Sequence, residues 1–299
     1  MKPTLFILGL TCALFVASCG SQESGPKPPV NKPNGTIRKQ NTQDTSKEKD
    51  TANSNPMKEF DANNVIRKKT FDEGIQVEWI AEGFPNNPLL KRGEVCLIDY
   101  RLGLTDGKII DGNNRLELPF IPFMVGYNMQ TPGWDLGLEK LKVGDFAKIQ
   151  IPADLAFGKK GLASIVPPNA TLWLYVKVIS KVSPSYNQDG IKTWVFSQDP
   201  TAKVISNKNR EIIYEASSST PSKANVQNTF TKPMKLNYIP GQLNVIPGLR
   251  KVLESAKVKD KIFALFEPNQ AYGKEGFGNL VKPNERVFYN ITVQSIREF

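Results

Sequence analysis

The feature that most constrains this chain is an internal repeat. Shifting the sequence by 115 positions superposes Gly126 on Gly241, Pro132-Gly133 on Pro247-Gly248, Lys142-Val143 on Lys257-Val258 and Asp145 on Asp260. The same shift pairs Ala156, Gly158-Lys159 and Gly161 with Ala271, Gly273-Lys274 and Gly276, and then Val166, Pro168-Asn169 and Val178 with Val281, Pro283-Asn284 and Val293. One constant offset over some fifty positions means two copies of one domain of roughly 110 residues, a usual domain size. The chain has 299 residues, so a long N-terminal segment lies outside both copies.

The residue inventory narrows the chemistry. There is no histidine, which removes the usual general base, the usual metal ligand and any Ser-His-Asp or Cys-His nucleophile arrangement. Of the three cysteines, Cys12 and Cys19 fall in the first twenty residues and only Cys96 in the body, so neither a disulfide framework nor a Cys-rich zinc site can be assembled. The formal charge is +10, with much of the excess upstream of the first copy, as in Lys27, Lys32, Arg38, Lys39, Lys47 and Lys49. That reads as a solvated basic tether, and no nucleic-acid partner is expected.

Residues 1–18 read as a secretory signal: Lys2 supplies the charged start, and Leu5 to Phe15 an apolar run too short to span a bilayer comfortably. Val16-Ala17-Ser18-Cys19 resembles a bacterial lipobox, in which cleavage precedes the cysteine and its thiol carries diacylglycerol. Cys19 is therefore the expected lipidation site and palmitate carrier, anchoring the mature chain to a membrane without crossing it. Residues 19–72 are rich in Ser, Asn, Thr, Lys, Gln and Pro, too polar to repay ordering, and are expected to be disordered. Some fifty such residues reach on the order of 40 Å.

The first copy is expected over 73–183 and the second over 184–299, after the Ser183-Pro184-Ser185 linker. Gly74 to Ile80 alternates as an edge strand, and Arg92 to Tyr100 alternates again. Thr105-Asp106-Gly107-Lys108 marks a tight turn into Ile109-Ile110-Asp111. Phe120 to Val125, Ala147 to Ile151 and Ala170 to Ile179 supply the later strands, with one short helix over Gly133 to Leu141. The fold class is α+β, each copy a twisted antiparallel sheet wrapped on one short helix.

Four blocks carry a resemblance: Pro132-Gly133-Trp134-Asp135-Leu136-Gly137-Leu138, Leu141-Lys142-Val143-Gly144-Asp145, Ala156-Phe157-Gly158 and Val166-Pro167-Pro168-Asn169-Ala170-Thr171-Leu172. In that order and spacing they resemble FKBP-type peptidyl-prolyl cis-trans isomerases, here as a tandem-domain bacterial lipoprotein. The resemblance implies that fold and a noncovalent rotation of X-Pro bonds without cofactor or metal. Proline-containing polypeptides would be the clients, at an extracytoplasmic face of a bacterial membrane. Tandem lipoproteins of this kind also resemble gliding-motility components of the Bacteroidetes.

The chemistry suits a chain without histidine. An amide rotates over a barrier of about 18–20 kcal/mol. A protein can assist by binding the twisted, less polar amide better than the planar one in an apolar, water-poor cup. The resemblance places Trp134 at the floor of that cup, Tyr100 and Phe157 on its walls and Asp111 near the twisting amide. It makes the Thr131 backbone amide a holder of substrate carbonyl, and gives Ile165, Val166, Leu174 and Leu162 as apolar lining. The remaining wall is Phe120, Ile121 or Phe123, because an extra residue precedes Gly126. The departures are Ile110 for an aromatic beside Asp111, Phe157 for tyrosine, Leu174 for phenylalanine and Gln130 for an apolar residue, which together imply modest turnover. In the second copy Leu249 stands at the place of Trp134, and no carboxylate occurs around Asn225, where the acid falls. Tyr214, Val245, Ile246, Tyr272, Leu280, Val281 and Tyr289 still match lining positions, so this copy is expected to bind or pack rather than turn over. The alternative is a non-catalytic peptide-binding or assembly lipoprotein in which both cups only hold.

Overall fold

The computed structural model describes residues 64–196, 209–230 and 235–299. The expected signal, Cys19 and most of the expected tether lie outside the described residues. The first copy is a seven-stranded antiparallel sheet made of β1 (Arg67–Thr70), β2 (Gln76–Ala81), β3 (Val95–Leu104), β4 (Ile109–Gly112), β5 (Ile121–Met124), β6 (Phe146–Ile151) and β7 (Leu172–Val182). They run in the order β1-β2-β6-β7-β3-β4, with β5 also paired to β3.

The second copy repeats this plan with β8 (Tyr186–Gln188), β9 (Ile191–Val195), β10 (Arg210–Ser219), β11 (Gln227–Asn228), β12 (Leu236–Tyr238), β13 (Lys261–Phe266) and β14 (Val287–Glu298). Their order, β8-β9-β13-β14-β10-β11 with β12 off β10, is that of the first sheet strand for strand. A bulge interrupts the long central strand of each copy, between Leu97 and Ile98 in one and Ile213 and Tyr214 in the other.

The N-terminal edge differs from the sequence expectation. Arg67–Thr70, which composition assigns to the tether, pairs with β2 as the true edge strand, so the Gly74–Ile80 region is internal. An Arg-Lys-Lys-Thr strand has no apolar alternation to betray it; charged side chains are what an exposed edge tolerates. The Arg67 guanidinium lies over the Trp79 ring at 3.5 Å, and Lys68 meets Glu78 at 2.8 Å.

One helix per copy crosses the concave face: α1 (Pro132–Leu138) and α2 (Pro247–Ser255). Each begins with Pro at N1, where the missing N–H costs nothing. Each follows it with a glycine that sets the packing distance. A Cβ on Gly133 would lie 2.2 Å from Ile151 Cγ2, and one on Gly248 2.4 Å from Phe266 Cδ1. Helices this short are marginal alone, so burial holds them: Trp134 and Leu138 from α1, and Leu249, Val252 and Leu253 from α2. Asp145 locks the turn after α1, accepting from Trp79 Nε1 at 3.1 Å, Gly83 N at 2.8 Å and Lys142 N at 3.1 Å. Asp260 repeats the last of these with Lys257 N at 2.8 Å.

The copies pack through a third apolar cluster. Val95, Met124 and Tyr127 of the first meet Trp194, Phe263, Leu265 and Phe288 of the second, with Tyr127 and Phe288 ring centroids 6.3 Å apart. Asn128 Nδ2 donates to Thr220 O at 2.9 Å and Pro221 O at 3.1 Å, and Ser219 Oγ donates to Tyr127 O. The segment gripped from the second copy thus leads directly into Thr131 and α1.

Candidate functional site

At the open end of the first sheet, β3, β4, α1 and the long β6–β7 connection bring the expected side chains together. Asp111 comes from β4 and lies opposite Leu102 of β3. Tyr100 O–H donates to Asp111 Oδ2 at 2.9 Å. The Tyr100 ring meets the Trp134 indole edge-on, centroids 5.0 Å apart at 74°. Asn113 fixes the strand beneath them: its Oδ1 accepts from Tyr100 N at 2.7 Å and from Arg101 Nη1 at 3.1 Å, and its amide donates to Leu118 O at 2.8 Å.

Burial pushes the Asp111 carboxyl above the usual carboxylate range, while the Tyr100 hydroxyl, the Gly112 N–H and the Arg115 charge hold it back. Asp135, beside Trp134, is pushed up to about 7 by burial, although it accepts from Gly126 N at 2.8 Å and Asn128 N at 2.6 Å. The Thr131 hydroxyl is buried with no hydrogen-bond partner among the described residues.

Leu162, Val166, Leu174, Ile121 and Phe123 join Tyr100, Ile110 and Trp134 in one buried cluster, with Phe157 half-buried at its margin. Of the three candidates for the remaining wall, Ile121 and Phe123 point inward on β5, and Phe123 stacks flat on Trp134 at 5.7 Å and 15°. Phe120 is 40 % exposed and stays outside the cluster. Ile165 is equally exposed, on the tip of the loop closed by the Leu162–Val166 bridge, and Gln130 is half-buried ahead of Thr131. Trp134 itself is only 2 % exposed. Asn113 and Asp135, which hold the site from behind, were not singled out from sequence. A polar residue flanking each singled-out one, two beyond Asp111 and one beyond Trp134, was the available signal.

Register relates the second cup to the first. Tyr100 pairs with Val176 and Ala216 with Ile291, and those partners are 115 residues apart, so Ala216 holds the place of Tyr100. Thr229 Oγ1 accepts from Ala216 N at 3.0 Å, as Asn113 does from Tyr100 N. Ser218 pairs with Gln227 as Leu102 pairs with Asp111, so an amide replaces the acid. Tyr214 does line the second cup, but from the place of Ile98: the two pair with Val293 and Val178. The offset is 116 here and 115 from Leu236 onward, because the first copy carries one extra residue between β4 and β5.

With the fold and this site in view, the class is defined on comparison with known proteins. The pattern of the FKBP-type peptidyl-prolyl cis-trans isomerases matches residues 87–179 and again 205–294, more than half of the chain. The chain belongs to that family, as two tandem FKBP-like domains. Among its relatives, FK506-binding protein 1 of Dictyostelium discoideum is 34% identical over 107 residues, 36% of this chain and 97% of that protein. Peptidyl-prolyl cis-trans isomerase FKBP1A of Xenopus laevis is 34% identical over 106 residues, 36% of this chain and 96% of the other. FK506-binding protein 4 of Dictyostelium discoideum is 37% identical over 123 residues, 39% of this chain but only 32% of that longer protein. The solved three FKBP domains of wheat FKBP73 superpose over 76% of this chain and 97% of theirs, with TM-score 0.37 and 19% identity. No helix among the described residues is long and apolar enough to cross a membrane.

Proposed function

We propose that the chain is a lipid-anchored, extracytoplasmic peptidyl-prolyl isomerase of Bacteroidetes-type bacteria that assists folding, with turnover in the first domain. The observation that carries the catalytic part is the juxtaposition of Tyr100, Asp111 and Trp134. A prolyl ring enters an apolar cup over the indole, and the amide loses the water that stabilises its planar, charge-separated form. The Tyr100–Asp111 pair faces the twisting bond, and Thr131 supplies the polar contact for a substrate carbonyl. No covalent step or cofactor is needed, and binding the twisted state better by 1.36 kcal/mol is worth about tenfold in rate.

The anchor is read from Val16-Ala17-Ser18-Cys19, and the long polar segment behind it from composition. The test is acceleration of a proline-limited refolding reaction by the full chain. We expect Asp111→Asn and Trp134→Ala to lose it; folded variants that keep full turnover would overturn the site. Labelled palmitate is expected to enter the protein in cells and not its Cys19→Ala variant. The near-complete burial of Trp134 favours a second reading, a holding lipoprotein without turnover. Peptide binding by the wild-type chain with no acceleration would select it.

A further inference from the structure

The second cup lacks the indole, the phenol and the acid of the first and carries Tyr214 and Tyr289 where the first has Ile98 and Leu174, yet it has not closed. Leu249 stands at the place of the indole, Ala216 at that of the phenol and Gln227 at that of the carboxylate. What is left is a cavity of about 570 Å³. That is within the range of pockets that take ring-bearing ligands. Its walls are aromatic: Tyr214 and Tyr289 are buried, and Tyr272 stacks on Phe277 with centroids 4.9 Å apart at 15°. The Tyr272 and Tyr289 hydroxyls lie 3.5 Å apart.

Among the described residues, none that lines the cavity carries a charge, so this lining suits a neutral occupant. At the lining stand the amides of Gln227, Asn237 and Asn244, groups that both donate to and accept from a peptide backbone. Leu243, 79 % exposed, and Phe277, half exposed, add apolar surface to the lining.

We infer that the second cup is a non-catalytic holding site for an aromatic side chain carried on an extended polypeptide. The cavity of about 570 Å³ that remains beside Tyr214 and Tyr289 has room for a planar ring larger than that of proline, and the tyrosines offer it edge-to-face contacts. Without Asp111 and Tyr100 equivalents, the site holds its ligand and turns nothing over. Reading the carrier as an unfolded client rests on the proposed folding role; the ligand chemistry does not.

The experiment uses the full chain and a proline-free, Ala/Ser-rich blocked peptide with a single Phe, titrated by calorimetry against the same peptide with Ala in its place. Binding of the Phe peptide alone is expected, weakened at least tenfold by Leu249→Trp, which fills the cavity. Tyr272→Ala, in a half-buried loop position at the margin of the core, removes a wall and is expected to weaken it comparably. Saturating Phe peptide should leave isomerisation of a separate proline substrate within twofold of its unliganded rate. Equal binding of the Ala peptide, displacement by a Phe-free proline peptide at equal concentration, or full affinity in both folded variants would overturn the inference. Intact Phe binding in a chain that shows no isomerisation would support it while overturning the catalytic reading of the first cup.

Discussion

Replacing Tyr100 by Phe removes one oxygen and tests the acid it serves. The ring would keep its edge-on contact with Trp134 at 5.0 Å, but Asp111 Oδ2 would lose the hydroxyl that donates to it at 2.9 Å. Asp111 is only 8 % exposed, so water replaces that donor poorly. A hydrogen bond to a charged group contributes about 1.5–3 kcal/mol. Losing a donor to the anion moves the Asp111 carboxyl further above its ordinary value, in the direction burial already pushes it. A carboxyl raised in the folded state contributes stability that is present below its unfolded pKa and is lost as pH rises through the folded one. The variant should therefore lose about 1.5–3 kcal/mol by denaturant unfolding at neutral pH and less at pH 4. In a proline-peptide assay the acid limb of kcat/KM should move to higher pH, with about a tenfold loss at neutral pH, the equivalent of 1.36 kcal/mol. Asp111→Asn should abolish the limb. A folded Tyr100→Phe protein whose limb and neutral rate both match wild type would refute the working link between the two groups.

Trp134→Leu gives the first cup the residue the second already carries at Leu249; isomerisation should fall at least tenfold, and thermal unfolding should show a cost below the ~3–5 kcal/mol typical of truncating a buried Trp to Ala. Asp135, raised to about 7 from 3.8, should make the wild-type chain lose stability between about pH 4 and pH 7, by no more than about 4 kcal/mol at 1.36 kcal/mol per unit. Asp135→Asn should flatten that slope in denaturant titrations, and an unchanged slope would show that another group sets it. Gly133→Ala places a methyl 2.2 Å from Ile151 Cγ2, and overpacking of this kind costs about 1–3 kcal/mol, read as a lower melting temperature with α1 displaced from β6.

Much of this architecture could be read from the chain because its constraints are local. Glycines such as Gly133 and Gly248, where a Cβ would collide with the sheet, and the turn-locking Asp145 and Asp260 recur at one offset because each copy needs them for the same backbone. Tyr100, Asp111 and Trp134 came instead from the family resemblance, since the second copy has Ala216, Gln227 and Leu249 in their places. The edge strand Arg67–Thr70 was not legible, because exposed backbone pairing leaves no apolar period behind. Nor was the Phe120, Ile121, Phe123 alternative resolved, since one inserted residue exchanges the inward and outward positions of a strand. The interface was illegible for a different reason. The turn residue Tyr127 and the strand residues Trp194, Phe263 and Phe288 carry no sequence mark of a shared surface, and only their packing shows that they meet across the two copies.

Register, more than composition, separates the fates of the two cups. Identical strand order and the shared bonds from Tyr100 N to Asn113 and from Ala216 N to Thr229 mean that the second backbone is kept while its reacting groups are replaced. A void lined by packed rings forfeits contacts that collapse would restore, so three tyrosines around an open cavity with no charge among its described lining residues are better suited to an occupant than to an empty core. The first domain presents the opposite case, with Trp134 covered by Phe123 and Tyr100 and only 2 % exposed. A client ring must therefore displace something there, and the half-buried Phe157 and exposed Ile165 on the β6–β7 connection are the groups placed to give way. The proposed division of labour matches this contrast: a tight first cup to favour the twisted amide, and beside it, through the Asn128 and Tyr127 contacts, a roomy one to keep the same chain in reach.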